Sequence, residues 1–135
     1  MASDPARPSA MNRPLSPFVQ IWRWTPTMAA SITHRVTGVA LYSGTILLAV
    51  WAFALAQGEA FYAPTAAFLG SPFGVLILFG YAWALFFHAL NGLRHLYWDM
   101  GRGLDIKTAR MTAWATYAAS ILLAIAVVGA GLSGR

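Results

Sequence analysis

The 135-residue sequence contains no cysteine, so the chain holds neither a disulfide nor an iron–sulfur cluster with cysteine ligands. Charge is scarce too: only 10% of the residues are charged, against about 25% in a typical soluble domain. Neither a glycine-rich dinucleotide fingerprint nor a P-loop occurs. We therefore expect no flavin or iron–sulfur cluster on this chain, and such chemistry would belong to a partner.

Apolar residues, in contrast, make up 59% of the chain. They form three uncharged runs, each long enough as a helix to cross a hydrocarbon core of about 30 Å. The runs cover residues 36–56, 72–93 and 111–132. The sequence therefore predicts an all-α integral membrane protein with three transmembrane helices and no soluble domain. These helices are expected over about residues 29–57, 72–99 and 108–132.

The basic residues, which give a net charge of +5, lie outside the apolar runs. They occur up to residue 35 and in the connection 94–110, only Arg135 lies beyond the third run, and the loop 57–71 contains no Lys or Arg. The positive-inside rule then predicts a cytoplasmic N-terminus and a periplasmic C-terminus. We expect a cytoplasmic N-terminal segment over residues 1–30 and a membrane-anchor domain over 31–132. This charge pattern is typical of membrane topology rather than of nucleic-acid binding.

The N-terminal segment divides by composition. Residues 1–12 are rich in proline and predict a loose tail, and the early prolines argue against a secretory signal peptide. Residues 13–24 mix arginines with aromatic side chains, which is typical of a segment at a membrane interface or against a partner.

A histidine in the second apolar run carries the strongest functional signal. His88 lies six residues inside Arg94, which marks the expected cytoplasmic boundary, and a polar residue at that depth is usually functional. Seven residues on, His95 shares the same helix face, and Gly92 between them lets a flat group approach the backbone. This spacing indicates a ligand for a planar metal cofactor. The alternative is a structural imidazole satisfied by a hydrogen bond to a helix.

Three residues near the cytoplasmic edge of the helices could bind other parts of such a cofactor. Arg35, His34 and His95 could neutralise the carboxylates of a haem whose iron sits at His88, although His95 could equally be an ordinary interface histidine. Because His34 and His95 lie near the membrane edge, a second axial ligand is expected from another chain. The protein would then be one half of a heterodimeric, haem-bridged anchor bundle.

Three further residues could act in more than one way. Ser31 and Arg35 are four residues apart on one helix face, where a hydroxyl and a guanidinium suit a carbonyl or carboxylate at the membrane edge. Arg35 could instead be a snorkelling interface residue. Asp99 could carry protons, pair with Arg94 or Arg102, or cap a helix.

Three segments together resemble the cytochrome b556 membrane-anchor subunits of succinate dehydrogenase, also called succinate:quinone reductase or respiratory complex II. These segments are Arg13-Pro14-Leu15-Ser16-Pro17, the stretch from Ser31 to Gly38, and the stretch from His88 to Asp99. Their order and spacing are those of the family, and the resemblance covers about residues 13–132. One departure is Phe18, where relatives often carry histidine, so no polar role is expected at that position.

The resemblance implies specific roles for several residues. His88 matches the axial ligand of a single haem b, with the other histidine supplied by a sister anchor subunit. Ser31 and Arg35 match residues that line the ubiquinone site near the iron–sulfur subunit. His34, Arg35 and His95 match positions near the haem propionates.

The implied function is electron transport in the tricarboxylic acid cycle. A flavoprotein subunit and an iron–sulfur subunit would pass electrons from succinate to ubiquinone at this anchor, in an alphaproteobacterial inner membrane, with no activity of the chain alone. The alternatives are an anchor of another quinone-linked oxidoreductase of the fumarate reductase type, or a haem-free structural anchor. A transporter or channel has no support from repeats or intramembrane charges.

Overall fold

The computed structural model describes residues 16–134, without the side chain of Val19, and residues 1–15 of the expected N-terminal segment lie outside this range. The described residues form five helices. They are α1 (Phe18–Ile21), α2 (Pro26–Ala56), α3 (Glu59–Gly70), α4 (Pro72–Asp99) and α5 (Ile106–Ser133). By length and composition α2, α4 and α5 can each cross a membrane. The prediction of an all-α protein with three transmembrane helices is therefore confirmed.

Each of the three long helices begins at a side-chain cap. Thr25, Ser71 and Asp105 accept hydrogen bonds from the backbone N–H three residues ahead, at 3.3, 3.1 and 2.8 Å. Proline occupies the first turn of α2 and α4, where its missing N–H costs nothing. Because of these caps, α2 begins at Pro26 rather than near residue 29, and α5 begins at Ile106 rather than near 108.

The expected loop 57–71 is mostly helix α3, which corrects the interpretation of this segment as a plain connection. A search for long uncharged runs misses it because it has only 12 residues, begins with Glu59 and contains Pro64. Gly58 separates it from α2 with a φ of 85°. The helix lies against both α2 and α4, and tertiary contacts of this kind stabilise a short helix.

Helix α4 packs against both α5 and α2, so the three long helices form one bundle. At its centre Ala30, Phe87 and Ala113 are fully buried, with Trp83 and Tyr117 packed against them. Small residues at such contacts let transmembrane helices approach closely. Most large apolar side chains elsewhere on the long helices are exposed, as expected for surfaces covered by lipid or by other subunits.

The turn between α4 and α5 brings the start of α5 back against the end of α4. Gly101 and Gly103 have φ values of 72° and 69°, which other residues rarely adopt. The indole N–H of Trp98 donates to the carbonyl of Gly103 at 3.1 Å, and this bond closes the turn. The first turns of α5 consequently lie beside Arg94 of α4.

Candidate functional site

The candidate site lies where α2 meets the cytoplasmic-facing half of α4 in the expected topology, and it is built around His88. The Nδ1 atom of His88 lies 3.1 Å from the backbone carbonyl oxygen of His34 and 3.4 Å from the hydroxyl of Thr37. A carbonyl oxygen only accepts hydrogen bonds, so Nδ1 carries the proton and donates. In the neutral ring Nε2 then keeps its lone pair, and within residues 16–134 it makes no hydrogen bond.

Thr37 supports this arrangement from inside α2. Its side chain is 2% exposed, and its hydroxyl donates to the carbonyl oxygens of Thr33 at 2.8 Å and His34 at 3.0 Å. Because the hydroxyl proton is used in these bonds, the Thr37 oxygen faces His88 as an acceptor. The hydrogen bond that satisfies His88 therefore involves one ring nitrogen only.

The structure brings the three histidines of the chain together, and we call His34, His88 and His95 the histidine cluster. The rings of His34 and His88 stack with centroids 3.8 Å apart at an angle of 12°. The His95 ring lies 5.4 Å from that of His34 and packs edge-on against Trp98. Within residues 16–134 the Nδ1 atom of His34 is buried without a hydrogen-bond partner.

Two glycines shape the space beside the cluster. A Cβ atom added to Gly38 would lie 3.0 Å from Cε1 of His88, so α2 approaches the imidazole closely only because this residue has no side chain. At Gly92, one turn after His88 on α4, an added Cβ would meet nothing within 4 Å. The space beside Gly92 is therefore open on the face of α4 that carries His88 and His95.

Arg35 lies on a different face of α2 from the cluster. Its side chain is exposed and lines a shallow surface groove with Val36, Val39 and Ala40. Ser31, one turn earlier, is half-buried on the same side of the helix. The two residues thus share a face, as their spacing predicts, and this face points away from the centre of the bundle.

Arg94 is buried rather than exposed at a membrane boundary. Its side chain is 6% exposed, and its three nitrogens donate to the Thr112 hydroxyl at 3.0 Å, the Ala109 carbonyl at 2.9 Å and the Asn91 amide oxygen at 3.4 Å. Asp99, for which Arg94 was one possible partner, is the exposed last residue of α4. The guanidinium of Arg94 therefore joins α4 to α5.

Sequence reasoning missed Thr37, Asn91 and Thr112 at this site. All three are polar residues inside the uncharged runs, so the signal that singled out His88 could also have found them. Their partners could not be read in the same way, because the bonds join residues from different helices. Arg94 gave a misleading signal, since a cation at the end of an apolar run also marks a membrane edge.

Comparisons with known proteins agree with this architecture. Residues 9–127 match the family described as succinate dehydrogenase/fumarate reductase transmembrane subunit. A succinate dehydrogenase cytochrome b556 subunit from Paracoccus denitrificans is 40% identical over 114 residues, 84% of this chain and 88% of the relative. The subunit of that name from Rickettsia bellii is 39% identical over 113 residues, with the same coverage.

A mitochondrial relative shows the same similarity over a shorter stretch. The succinate dehydrogenase cytochrome b560 subunit from Sus scrofa is 41% identical over 97 residues, 70% of this chain and 57% of the relative. Three long apolar helices that can each cross a membrane define the class of helical membrane proteins. Within that class, the chain belongs to the succinate dehydrogenase/fumarate reductase transmembrane subunit family.

Proposed function

We propose that this chain is the haem b-binding membrane-anchor subunit of a succinate dehydrogenase, with His88 as one axial ligand. The hydrogen bond from His88 Nδ1 to the carbonyl of His34 carries the proposal. Metal-binding histidines commonly donate their second ring N–H to a carbonyl, which fixes the tautomer and leaves the other nitrogen for the metal. The names of the relatives, cytochrome b556 and b560 subunits, support haem b as the cofactor.

The surroundings of His88 fit a planar group. The open space at Gly92 leaves the face of α4 accessible, and the bond to α2 holds the imidazole in place. His34 would not hold the metal together with His88, because the two rings stack at 3.8 Å and leave no room for a metal between them. A sister anchor subunit would therefore contribute the second histidine to one shared haem. When bound, haem b supplies one-electron transfer.

Ubiquinone would bind on the outer face of α2, at Ser31 and Arg35. The exposure of Arg35 leaves its guanidinium free for a ligand between this chain and the iron–sulfur subunit. Ser31 would donate a hydrogen bond to a quinone carbonyl. A guanidinium is a planar cation with several N–H donors, so Arg35 would stabilise negative charge that develops on that oxygen.

In this assembly the chain would anchor the flavoprotein and iron–sulfur subunits to an alphaproteobacterial inner membrane. The asymmetry of basic residues supports a cytoplasmic N-terminus and a periplasmic C-terminus. That orientation puts the histidine cluster and Ser31 on the cytoplasmic side. Electrons from succinate would then reach ubiquinone at the membrane edge, on the side where the catalytic subunits dock, while Asp99 remains a candidate proton carrier or structural residue.

A reduced-minus-oxidised absorption spectrum of the purified complex tests the proposal. We expect a b-type band in the wild type and its loss or shift in His88→Ala. Leu85→Ala, at an exposed apolar position on the same helix, serves as the matched control and should keep the band. In the same preparations Arg35→Leu should lower succinate-to-ubiquinone activity about tenfold or more. Ile46→Ala, at an exposed apolar position further along the same helix and outside that groove, should leave that activity unchanged.

Two results would contradict the proposal. An assembled wild-type complex without a b-type band would remove the haem assignment. A band of unchanged position and intensity in assembled His88→Ala would move the ligand to another residue.

A further inference from the structure

The network that leads from α5 to the histidine cluster begins at Arg94. A buried guanidinium is costly unless its donors are satisfied, and here each of the three nitrogens has an acceptor. The cation also stands 3.9 Å from the centroid of the Trp98 ring, an additional favourable contact. Because none of the three acceptors is a carboxylate, the hydrogen-bond geometry rather than an ion pair fixes this side chain.

Asn91 receives its orientation from Arg94. The amide is fully buried, and its Oδ1 atom accepts from Nη1 of Arg94 at 3.4 Å. A guanidinium only donates, so the oxygen of the amide must face it and the NH₂ group must face the other way. That NH₂ group lies 3.3 Å from Nε2 of His95, a residue on the next turn of α4.

The orientation of the Asn91 amide in turn determines the tautomer of His95. An amide NH₂ group only donates, so Nε2 of His95 accepts and holds a lone pair. The neutral ring consequently carries its proton on Nδ1. The edge-on contact with Trp98, at 5.2 Å and 85°, limits rotation of the ring.

We infer that Arg94 and Asn91 are positioning residues for His95, which hold its neutral ring in the tautomer with the proton on Nδ1. The first turns of α5 take part through Thr112 and Ala109, which bind the guanidinium. The consequence rests on the proposed function: beside a haem, His95 would be a fixed hydrogen-bond donor for an acidic group of the cofactor. The tautomer itself follows from this chain alone.

Asn91→Asp tests the inference with an almost unchanged shape. The carboxylate still accepts from Arg94, but it presents a second acceptor, in place of a donor, to Nε2 of His95. The tautomer should therefore switch to a proton on Nε2. We would measure ¹⁵N chemical shifts of histidine-labelled complex, and the signals of His95 are identified by difference against His95→Gln.

The expected result is a protonated Nδ1 in the wild type and an exchange of the two ring-nitrogen shifts in Asn91→Asp. The control is Ser120→Ala, another fully buried polar position, whose hydroxyl bonds only within α5 to the Tyr117 carbonyl. This variant should leave the shifts unchanged. The inference would be overturned if the wild-type His95 ring were protonated on Nε2, or if the ring-nitrogen shifts of His95 were the same in Asn91→Asp as in the wild type.

Arg94→Lys provides a second test if Asn91→Asp does not assemble. Lysine keeps the charge but cannot bind three acceptors in a fork, so Asn91 is released and His95 should populate both tautomers. A single, unchanged tautomer in this variant would contradict the positioning role of Arg94. Because the ¹⁵N readout needs no haem, a failed haem assignment at His88 and a failed inference at His95 give different results.

Discussion

The two ends of the helix bundle are held together in different ways. At the histidine end, hydrogen bonds cross between helices: Thr33 to Tyr117 at 2.7 Å, His88 to the carbonyl of His34, and Arg94 to α5. At the α3 end, glycines let neighbouring groups approach closely. The ring of Tyr81 packs on Gly44, and the backbone of α3 packs on Gly74.

This difference separates two requirements on a membrane anchor. Packing at a glycine sets the distance between two helices, but it specifies few side-chain orientations. A hydrogen bond between buried groups also fixes which atom faces which, because an unpaired donor or acceptor in an apolar surrounding is costly. Oriented polar groups therefore concentrate at the end that carries the candidate site.

The largest effect on stability is expected from removing the side chain of Arg94 at the histidine end. Arg94→Ala removes three hydrogen bonds, two of which join α4 to α5. Interhelical bonds in membranes contribute about 0.6–1.7 kcal/mol each, so the free energy of unfolding should fall by about 3 kcal/mol. Unfolding of the detergent-solubilised protein by a denaturing detergent, followed by circular dichroism, measures this loss.

Arg102→Ala is the matched control, since Arg102 is an exposed arginine in the turn that follows α4. This substitution should change the free energy of unfolding by less than about 0.5 kcal/mol. Equal losses in the two variants would mean that the contacts of Arg94 with α5 contribute nothing beyond its charge.

A smaller effect is expected at the α3 end from Gly44→Ala. A Cβ atom there would lie 2.6 Å from Cδ2 of Tyr81, so the ring must move. Overpacking of this kind costs about 1–3 kcal/mol, and we expect about 2 kcal/mol in the same unfolding experiment. Truncation of the ring in Tyr81→Ala should relieve most of the penalty in the double variant.

Gly80→Ala gives the control for this glycine, because a Cβ atom there would meet nothing within 4 Å. Alanine should be neutral or stabilise the helix by about 0.5–1 kcal/mol. A similar loss of stability at Gly44 and Gly80 would show that general helix effects, and not the contact with Tyr81, decide the outcome.

The same contrast explains how far the sequence could be interpreted. Three long uncharged runs predict three long helices because hydrocarbon length and apolar composition constrain each helix separately. The seven-residue interval puts His88 and His95 on one face for the same local reason. Helix α3 escaped prediction because its stability comes from packing on two other helices, which 12 residues with an internal proline do not reveal.

Arg94 shows the limit within the candidate site. In the sequence Arg94 is a cation at the end of an apolar run. An exposed arginine at a membrane edge has the same pattern, so the sequence does not distinguish a buried from an exposed side chain. Its burial depends on Thr112 and the carbonyl of Ala109, which reach it only because the turn returns α5 to the end of α4. Contacts between helices of this kind have no periodic signature in the sequence.

The smallest effect is expected at Asp105, which caps the turn of α5 that presents the acceptors of Arg94. Hydrogen bonds from the side chain and the backbone N–H of Thr108 lower the pKa of Asp105 below its ordinary value of 3.8. Because the pKa is lower in the folded protein, the stabilisation is present above the ordinary value and is lost as the pH falls through the folded value. The stabilisation by the ionised Asp105 is therefore lost in strongly acidic solution, and the unfolding midpoint should decrease there.

Asp105→Asn separates capping from titration at this position, since asparagine caps helices about as well as aspartate and does not ionise. At neutral pH its unfolding midpoint should be close to that of the wild type, whereas Asp105→Ala should be lower. Below about pH 4 the wild type should lose stability relative to Asp105→Asn, because only the wild type loses the ionised cap. The other acidic residues are common to both proteins, so their titration cancels in the comparison. Parallel midpoints across the whole pH range would mean that the charge of Asp105 does not stabilise the start of α5, and that the histidine end depends on Arg94 and its acceptors without help from this cap.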